Sequence, residues 1–249
     1  MLPAVADIEA ATLSAWPALQ VAHDRLWLWR GARGYSKRAN SIHCLDPSDG
    51  DDAGARLERM AALSRYNDIP PVFRVTPLTS RGAIAALDRA GWQKYEQSLV
   101  LAASLSGEDL PVRHATRLYD PRDPEWFETQ GAMSGYNPHT IGILKAILEA
   151  AAHENCGILA HDEDGRPVAA ALATVVNGIG VYLNVVTREE ARGGGFGRAV
   201  MAAALNWTRQ AGATSAAIQV LAGNAPALGL YGSLGFAQVY DYHYRSPAP

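Results

Sequence analysis

Apolar residues recur at helical spacing in two segments of the second half of the chain. Residues 126–133 and 140–152 are predicted to form short helices, and the SGYNPH segment between them is predicted to be a loop. Runs of β-prone residues flank the Asp164-Gly165 turn pair, which favours a hairpin, and a third such run begins at Gly180. The pattern therefore predicts two helices followed by three strands.

Helices and strands alternate from there towards the end of the chain. Val200, Ala204 and Trp207 share one face of a predicted helix, and Gly212 is typical of the position that follows a helix end. The apolar run SAAIQVL predicts a strand, Asn224 is suited to cap a further helix, and AQVYDYHYR alternates as a closing strand does. This order predicts an α/β (α+β) fold with a mixed central sheet flanked by helices.

The first half repeats part of this plan. PPVFRVTPLTSRGAIAALDRAGWQKYE and SAAIQVLAGNAPALGLYGSLGFAQVYDY both predict a short strand, a helix, a glycine-aromatic pair and an alternating strand. Upstream, SIHCL and ARLERMAALSRYND predict a strand and a helix that precede this unit. The repeat is either an internal duplication or chance, because strand-helix-strand units are common.

Four glycines and two arginines are concentrated in ARGGGFGRAV, residues 191–200. This segment follows a predicted strand and opens a predicted helix, where backbone N–H groups converge on an anion. Glycine lets the chain approach a phosphate closely, and Arg192 and Arg198 add positive charge beside the turn. The sequence therefore predicts a phosphate-binding turn.

Two common nucleotide motifs do not fit this turn. A P-loop requires Lys followed by Ser or Thr after its last glycine, whereas Arg198-Ala199 stands here. A Rossmann fingerprint requires an acidic residue at the end of the next strand, but that strand ends in Gln219, Val220 and Leu221. Dinucleotide binding is therefore disfavoured.

A third motif fits because it comes in two parts. The first part reads R-G-x-G-x-G at residues 192–197, and the second reads N-x-x-A-x-x-L-Y-x-x-L-G-F at residues 224–236. This pair resembles the two signature segments of the GNAT superfamily of acetyl-CoA-dependent N-acetyltransferases. The resemblance covers roughly residues 112–245 and implies the GNAT fold.

The resemblance also implies roles for particular residues. In the family, main-chain amides of the glycine-rich turn hold the pyrophosphate of coenzyme A, and the strand before it contacts the pantetheine and the acetyl carbonyl. The turn positions are Arg192, Gly193, Gly194, Gly195, Phe196, Gly197 and Arg198, and the strand positions are Val185, Val186 and Thr187. The family's Asn, which contacts the cofactor arm, corresponds to Asn224. Its Tyr, which protonates the departing thiolate, corresponds to Tyr231.

The general base is the open position in this comparison. Many relatives carry Glu on the strand before the glycine turn, whereas this strand offers Asn184, which can orient a water but cannot take a proton. We therefore expect water-mediated deprotonation or an amine that arrives neutral. Glu189 and Glu190 are expected in a solvated turn. Three residues of the SGYNPH loop face either the acceptor or solvent: Tyr136, Asn137 and His139.

If the repeat is a duplication, the chain is a tandem pair of GNAT-like lobes and resembles in plan the two-lobed mycothiol synthases. The lobes would span residues 1–106 and 112–249, with a linker at 103–112. Aligning the two glycine-aromatic pairs places Leu87 at the position of Tyr231, so the first lobe would lack the proton donor.

The turn of the first lobe would also repel a pyrophosphate. It carries four carboxylates at the position of the glycine turn: Asp46, Asp49, Asp51 and Asp52. A separate segment of this lobe, GYSKRANS with Lys37 and Arg38, is either a solvated hairpin end or part of an acceptor cleft between the lobes.

Composition and residue spacing limit the partners, the location and the metal content that we expect of the protein. The net charge is -3 with 19% charged residues and no long basic run, so nucleic-acid binding is not expected. The N-terminus lacks a signal-peptide pattern and no uninterrupted apolar run reaches about eighteen residues, so we expect a cytoplasmic protein that does not bind membranes. Cys44 and Cys156 are expected as buried free thiols, with a disulfide or a catalytic thiol as alternatives. The seven histidines show no metal-binding spacing, so no metal is expected.

These observations lead to one hypothesis with two rivals. The protein is predicted to be an N-acetyltransferase that passes acetyl from acetyl-CoA directly to an amine of a small molecule or peptide, acting as a monomer or homodimer. The first rival is an acyl-CoA-binding or sensor module without turnover. The second is a transferase for longer acyl chains.

Overall fold

Residues 2–248 are described by a computed structural model, and the first half of the chain contributes three helices and five strands. They are α1 (Val5–Ala15), β1 (Gln20–Asp24), β2 (Trp27–Gly31), β3 (Ile42–Cys44), α2 (Ala53–Tyr66), β4 (Phe73–Val75), α3 (Arg81–Arg89) and β5 (Gln93–Ser104). A short 3-10 turn at Lys37–Ala39 lies between β2 and β3.

The second half contributes four helices and six strands. They are β6 (Thr116–Tyr119), α4 (Pro124–Met133), α5 (Pro138–Glu149), β7 (Asn155–His161), β8 (Pro167–Val176), β9 (Ile179–Thr187), α6 (Phe196–Gln210), β10 (Ser215–Leu221), α7 (Ala225–Ser233) and β11 (Ala237–Ser246). A second 3-10 turn, Glu189–Ala191, precedes the glycine turn.

The element order repeats between the halves. The series α1-β1-β2-β3-α2-β4-α3-β5 corresponds one for one to α5-β7-β8-β9-α6-β10-α7-β11. The repeat seen in the sequence is thus present in the fold, and it extends upstream to α1, β1 and β2, which the sequence patterns did not predict.

All eleven strands form one sheet in the order β1-β2-β3-β4-β11-β5-β10-β9-β8-β7-β6. Neighbours are antiparallel except for the pairs β3/β4 and β9/β10, which confirms a mixed sheet. The last strand of each half is inserted between strands of the other half. β11 lies between β4 and β5 of the first half, and β5 lies between β10 and β11 of the second. The two halves therefore share a continuous sheet through an exchange of their final strands.

Several boundaries differ from the sequence prediction. Ala103 and Ser104 belong to β5, so the irregular connection begins only at residue 105. Helix α5 begins at Pro138, because the Asn137 side chain caps it by accepting a hydrogen bond from the Thr140 amide at 2.9 Å, and it ends at Glu149 rather than at residue 152.

The second-half sheet is covered on both faces. On one face, α1, α4 and α5 pack on alternate residues such as Leu172 and Val181. On the other, α6 and α7 pack on the intervening residues such as Ala171 and Ile218. A third cluster joins α2 and α3 to β2, β3 and β4. Helices therefore cover both faces of the second-half sheet through apolar contacts.

A buried ion pair of the first half contacts the exchanged strand β11. Glu9 on α1 is 1% exposed and pairs with Arg74 on β4, and it also accepts a hydrogen bond from the Tyr240 hydroxyl on β11. Removing one member of such a pair leaves a buried charge uncompensated, so these residues fix the position of β11.

Other expectations concern thiols, membranes and metals. Cys44 and Cys156 are both buried and free, as the sequence indicates. Within residues 2–248 no helix is long and apolar enough to cross a membrane. The same residues contain no group of three or more His, Cys, Asp or Glu side chains placed to hold a metal ion.

Candidate active site

The site begins where two neighbouring strands part. β9 and β10 pair only through residues 179–182 and 215–218, and beyond these residues they separate. On its other side β9 carries a bulge, since Leu183 and Val186 pair with Leu172 and Ala170, which leaves two residues of β9 opposite one of β8. Asn184 lies in this bulge with a φ of 50°. The bulge and the separation open a gap through the sheet.

A cavity of about 1100 Å³ occupies this gap. The sequence predicts thirteen catalytic or cofactor-binding residues. Twelve of them line this cavity, and Gly194 does not. These lining residues are Asn184, Val185, Val186, Thr187, Arg192, Gly193, Gly195, Phe196, Gly197, Arg198, Asn224 and Tyr231. Residues that are up to 47 positions apart in sequence therefore converge on one space.

The glycine turn presents free amides at one end of the cavity. Gly193 and Gly195 have φ values of 78° and 84°, a conformation that favours glycine. Within residues 2–248, the amides of residues 195–198 have no hydrogen-bond partner, as is usual at a helix N-terminus. These four N–H groups, at the start of α6, form a cradle suited to an anion.

Neighbouring side chains pack closely against the glycines of the turn and leave little room for a Cβ there. A Cβ on Gly195 would lie 3.2 Å from Nε2 of His114, and one on Gly197 would lie 3.2 Å from Oγ1 of Thr187. His114 also stacks on Phe196 with ring centroids 4.1 Å apart. Side chains larger than hydrogen at these glycines would displace the turn.

Tyr231 lies on α7, across the gap from the turn. Asn224 caps this helix by accepting a hydrogen bond from the Ala227 amide at 3.2 Å. Tyr231 is 5% exposed, and its hydroxyl has no hydrogen-bond partner within the described chain. Burial raises the pKa of Tyr231 to about 12, an effect that the positive charge of Arg38 partly offsets. The hydroxyl therefore keeps its proton at neutral pH.

Two amide side chains in the cavity carry unpaired buried atoms. Nδ2 of Asn184 and Oε1 of Gln130 are buried without a partner among residues 2–248. Gln130 on α4 is fully buried and donates through Nε2 to Oγ of Ser134 at 2.8 Å. The cavity thus offers one buried donor and one buried acceptor to a water molecule or a substrate.

The first half also contributes to the lining of the cavity. Arg38 lines it together with Met133 and Tyr136, whereas Lys37 points elsewhere and pairs with Glu96. The GYSKRANS segment is therefore split, since one of its cations faces the cavity and the other is part of a surface ion pair.

The other residues weighed as acceptor contacts or bases lie outside the cavity. Asn137 serves as the cap of α5, and His139 is exposed on its first turn. Glu189 and Glu190 are exposed in the 3-10 turn before the glycines. Within residues 2–248, no Asp, Glu, His or Lys lines the cavity, so it contains no ordinary general base.

The equivalent region of the first half is filled by protein. Asp49, 5% exposed, accepts hydrogen bonds from the Leu26 amide at 3.0 Å and from two nitrogens of Arg56 at 2.7 and 2.9 Å. The Gly50 carbonyl packs directly on Gly82 of α3. A carboxylate thus stands at the position of a phosphate, and the crevice beside it is closed.

Sequence patterns missed His114 and Gln130. His114 lies in the irregular connection between β5 and β6, and it meets Phe196 only through a contact between distant parts of the chain. Gln130 did leave a signal, because a polar residue among the apolar positions of a predicted helix is a candidate for a buried polar role.

Comparisons with known proteins agree with this geometry. Residues 4–245 match the family described as Probable histone acetyltransferase Rv0428c C-terminal. YobR of Bacillus subtilis (strain 168), named an uncharacterized N-acetyltransferase, is 26% identical over 246 residues, which cover 97% of this chain and 98% of YobR.

Solved structures show the same fold at low sequence identity. A GCN5-related N-acetyltransferase from Kribbella flavida has a TM-score of 0.68 at 17% identity, covering 98% of this chain and 95% of that one. A tandem GNAT protein from the clavulanic acid biosynthesis pathway has a TM-score of 0.62 at 13% identity, covering 78% and 70%. The chain belongs to the Rv0428c C-terminal acetyltransferase family, and it is an N-acetyltransferase of the GNAT superfamily.

Proposed function

We propose that the protein transfers acetyl from acetyl-CoA directly to an amine of a small molecule or peptide. The observation that carries this proposal is one cavity bordered by both the free amides of the glycine turn and the unpaired hydroxyl of Tyr231. The first is suited to an anionic cosubstrate, and the second to a leaving group that needs a proton.

The glycine turn is suited to the pyrophosphate of coenzyme A. The amides of residues 195–198 have no backbone partner within residues 2–248, and Arg192 and Arg198 line the same cavity. The pantetheine would run along β9, where main-chain groups of Val185, Val186 and Thr187 have no partner in β10 because the pairing stops at Tyr182. Asn224 lines the other side of this path.

Direct transfer requires two proton movements. The amine lone pair attacks the thioester carbonyl carbon, the carbon–sulfur bond then breaks, and the Tyr231 hydroxyl gives its proton to the departing sulfur. Burial raises the pKa of Tyr231 to about 12, and the same dry surroundings raise the pKa of a thiol, so the transfer stays feasible. The amine proton leaves through water, which restores the tyrosine.

Within residues 2–248, no carboxylate or histidine lines the cavity, and the side chain of Asn184 cannot replace such a base. Its buried Nδ2 holds the oxygen of a water near the bulge, but it accepts no proton. The amine therefore reacts in its neutral form.

The test is release of free thiol from acetyl-CoA with a broad panel of amines, comparing wild type with Tyr231→Phe. We expect the substitution to lower kcat about a hundredfold, the usual contribution of one proton donor, while the Kd for acetyl-CoA stays unchanged. Tyr66→Phe is the matched control, because Tyr66 is 86% exposed and should leave both quantities unaltered.

Two results would favour the rival functions. Tight acetyl-CoA binding without thiol release from any amine would indicate a binding or sensor module. Faster turnover with longer thioesters would indicate a different acyl donor.

Location and assembly follow the same proposal. Two buried free cysteines suit a reducing cytoplasm, and the protein would act there as a monomer or homodimer that needs neither nucleic acid nor membrane. Cell fractionation and light scattering test these two points.

A further inference from the structure

We infer that the acceptor amine carries a negatively charged group, a carboxylate or a phosphate, which the guanidinium of Arg38 binds. This inference rests on the proposed function, because it names the substrate class of the same cavity. It also gives the first half of the chain a direct part in substrate selection.

Arg38 is held on a rigid turn. Its carbonyl accepts a hydrogen bond from Arg30 at 2.7 Å, and the Asn40 side chain donates to the carbonyls of Tyr35 and Ser36 at 2.6 and 2.8 Å. The Arg38 guanidinium lies 5.8 Å from the ring centroid of Trp16, a buried residue. The charge is therefore presented to the cavity from a fixed backbone.

In the part of the chain that the structure describes, Arg38 differs from the cations packed near it because its guanidinium has neither an anion nor a hydrogen-bond partner. Lys37 pairs with Glu96, Arg74 pairs with Glu9, and Arg30 donates to backbone carbonyls that include those of Leu13 and Arg38. Within residues 2–248, the Arg38 guanidinium has no carboxylate within 4.0 Å and no hydrogen bond. A half-buried cation without a partner is costly unless a ligand supplies the counter-charge.

The position of this charge corresponds to the reacting end of the cavity. Arg38 is close enough to Tyr231 to pull the pKa of its hydroxyl downwards against the effect of burial. Arg192 and Arg198, by contrast, belong to the glycine turn and the first turn of α6. Arg38 is therefore free for the acceptor rather than for the pyrophosphate.

The remaining lining selects against a cationic acceptor. No Asp or Glu among residues 2–248 borders the cavity, so a lysine-rich tail or a polyamine would find no counter-charge and would face Arg38. The unpaired Oε1 of Gln130, fully buried, accepts a hydrogen bond from a neutral amine N–H. The two groups together match a molecule that carries both an amine and an anion.

An alternative role for Arg38 would be to act only on Tyr231, by lowering the pKa of its hydroxyl. Substitution would then slow transfer to every acceptor by the same factor, since the thiolate is the same in each reaction. Anion binding instead changes only the reactions of anionic acceptors. The ratio of rates within charge-matched pairs separates the two roles.

The experiment compares kcat/KM, calculated on the concentration of the neutral amine, for each common α-amino acid with that for its carboxamide, and for phosphoethanolamine with that for ethanolamine. A lysine-rich histone-tail peptide is the cationic arm. We expect wild type to favour the anionic member of at least one pair by about tenfold or more, as for a charge-assisted hydrogen bond. The carboxylate and phosphate arms identify which anion is used.

Variants connect this preference to the residue. Arg38→Gln should abolish the preference by slowing the anionic member of each pair more than the neutral member, and Arg38→Lys should keep part of it. Arg33→Gln is the control, because Arg33 is exposed and does not line the cavity. Equal rates within every pair, a preference for the peptide, or uniform slowing by Arg38→Gln would overturn the inference.

A binding measurement decides the matter even without turnover. With the protein saturated by coenzyme A, calorimetry should show N-acetyl amino acids binding more tightly than their amides, and Arg38→Gln should remove the difference. Lack of any difference in wild type would refute the inference. Failure of the proposed function shows separately, as an absence of thiol release from acetyl-CoA with all acceptors.

Discussion

Tyr231 and the groups around it determine how the reaction should respond to pH. Burial holds its pKa near 12, so it remains the protonated donor below about pH 11. Within residues 2–248 no other cavity-lining group titrates near neutrality, since the lining contains no Asp, Glu, His or Lys. The enzyme itself therefore contributes no ionisation to the neutral range.

The acceptor should accordingly set the pH profile. We predict that kcat/KM rises with pH and levels off at the pKa of the acceptor amine, because only the neutral amine attacks. Profiles for two acceptors whose amine pKa values differ by about two units should be displaced by the same amount. A rising limb at one fixed pH for both acceptors would instead indicate an ionising protein group.

Sequence reasoning at this scale depended on whether a motif carries the residue. Through the resemblance of the paired motif, Tyr231, Asn224 and the turn glycines were predicted to contact one cosubstrate, and all of them except Gly194 line the cavity. Arg38 was only one of two alternatives, and His114 and Gln130 were not identified. Arg38 and His114 meet the site through contacts between distant segments, which no local pattern records, whereas Gln130 is a polar residue among the apolar positions of a predicted helix.

At the scale of elements, the glycine turn depends on a conformation that other residues adopt at a cost. Gly195 has a φ of 84°, and a Cβ there would approach His114 to 3.2 Å. Both effects would move the free amides at the start of α6, and the backbone strain alone costs about 1 kcal/mol or more.

We therefore predict that Gly195→Ala raises the Kd for acetyl-CoA about tenfold, measured by calorimetry. Gly142→Ala is the matched control. Gly142 lies in α5, a Cβ added there would meet nothing within 4 Å, and the residue does not line the cavity. An unchanged Kd for Gly195→Ala would show that the turn tolerates a side chain and does not bind through its amides.

Elements were predicted from sequence as far as their patterns were distinct. The glycine-delimited helices α6 and α7 and the hairpin of β7 and β8 were found near their observed limits. β2 was missed because all five of its residues, Arg30 included, are buried, so its sequence does not alternate between apolar and polar positions. Pro138 was assigned to a loop, although proline is well tolerated in the first turn of a helix.

At the scale of the whole molecule, the exchange of final strands is the feature that sequence could not supply. Swapping β5 and β11 between the halves leaves the order of elements along the chain unaltered. The repeat predicted two lobes, and the structure joins them in one sheet. We propose that residues 1–106 and 112–249 are structural units only in each other's presence.

This proposal predicts how the separated halves behave. Expressed alone, fragment 1–106 would lack β11 between β4 and β5, and fragment 112–249 would lack β5 between β10 and β11. We expect neither fragment to unfold cooperatively in urea, and an equimolar mixture to recover a cooperative transition and acetyl-CoA binding. Cooperative unfolding of either fragment by itself would contradict the proposal.

The place of β11 in the sheet has a consequence for biosynthesis. The first half leaves the ribosome early, yet the gap between β4 and β5 is closed only by the last strand of the chain. At about 5–20 residues per second, those two edges wait on the order of ten seconds for their partner. The nascent protein therefore carries unpaired strand edges throughout synthesis of its second half, and it is then most dependent on chaperones.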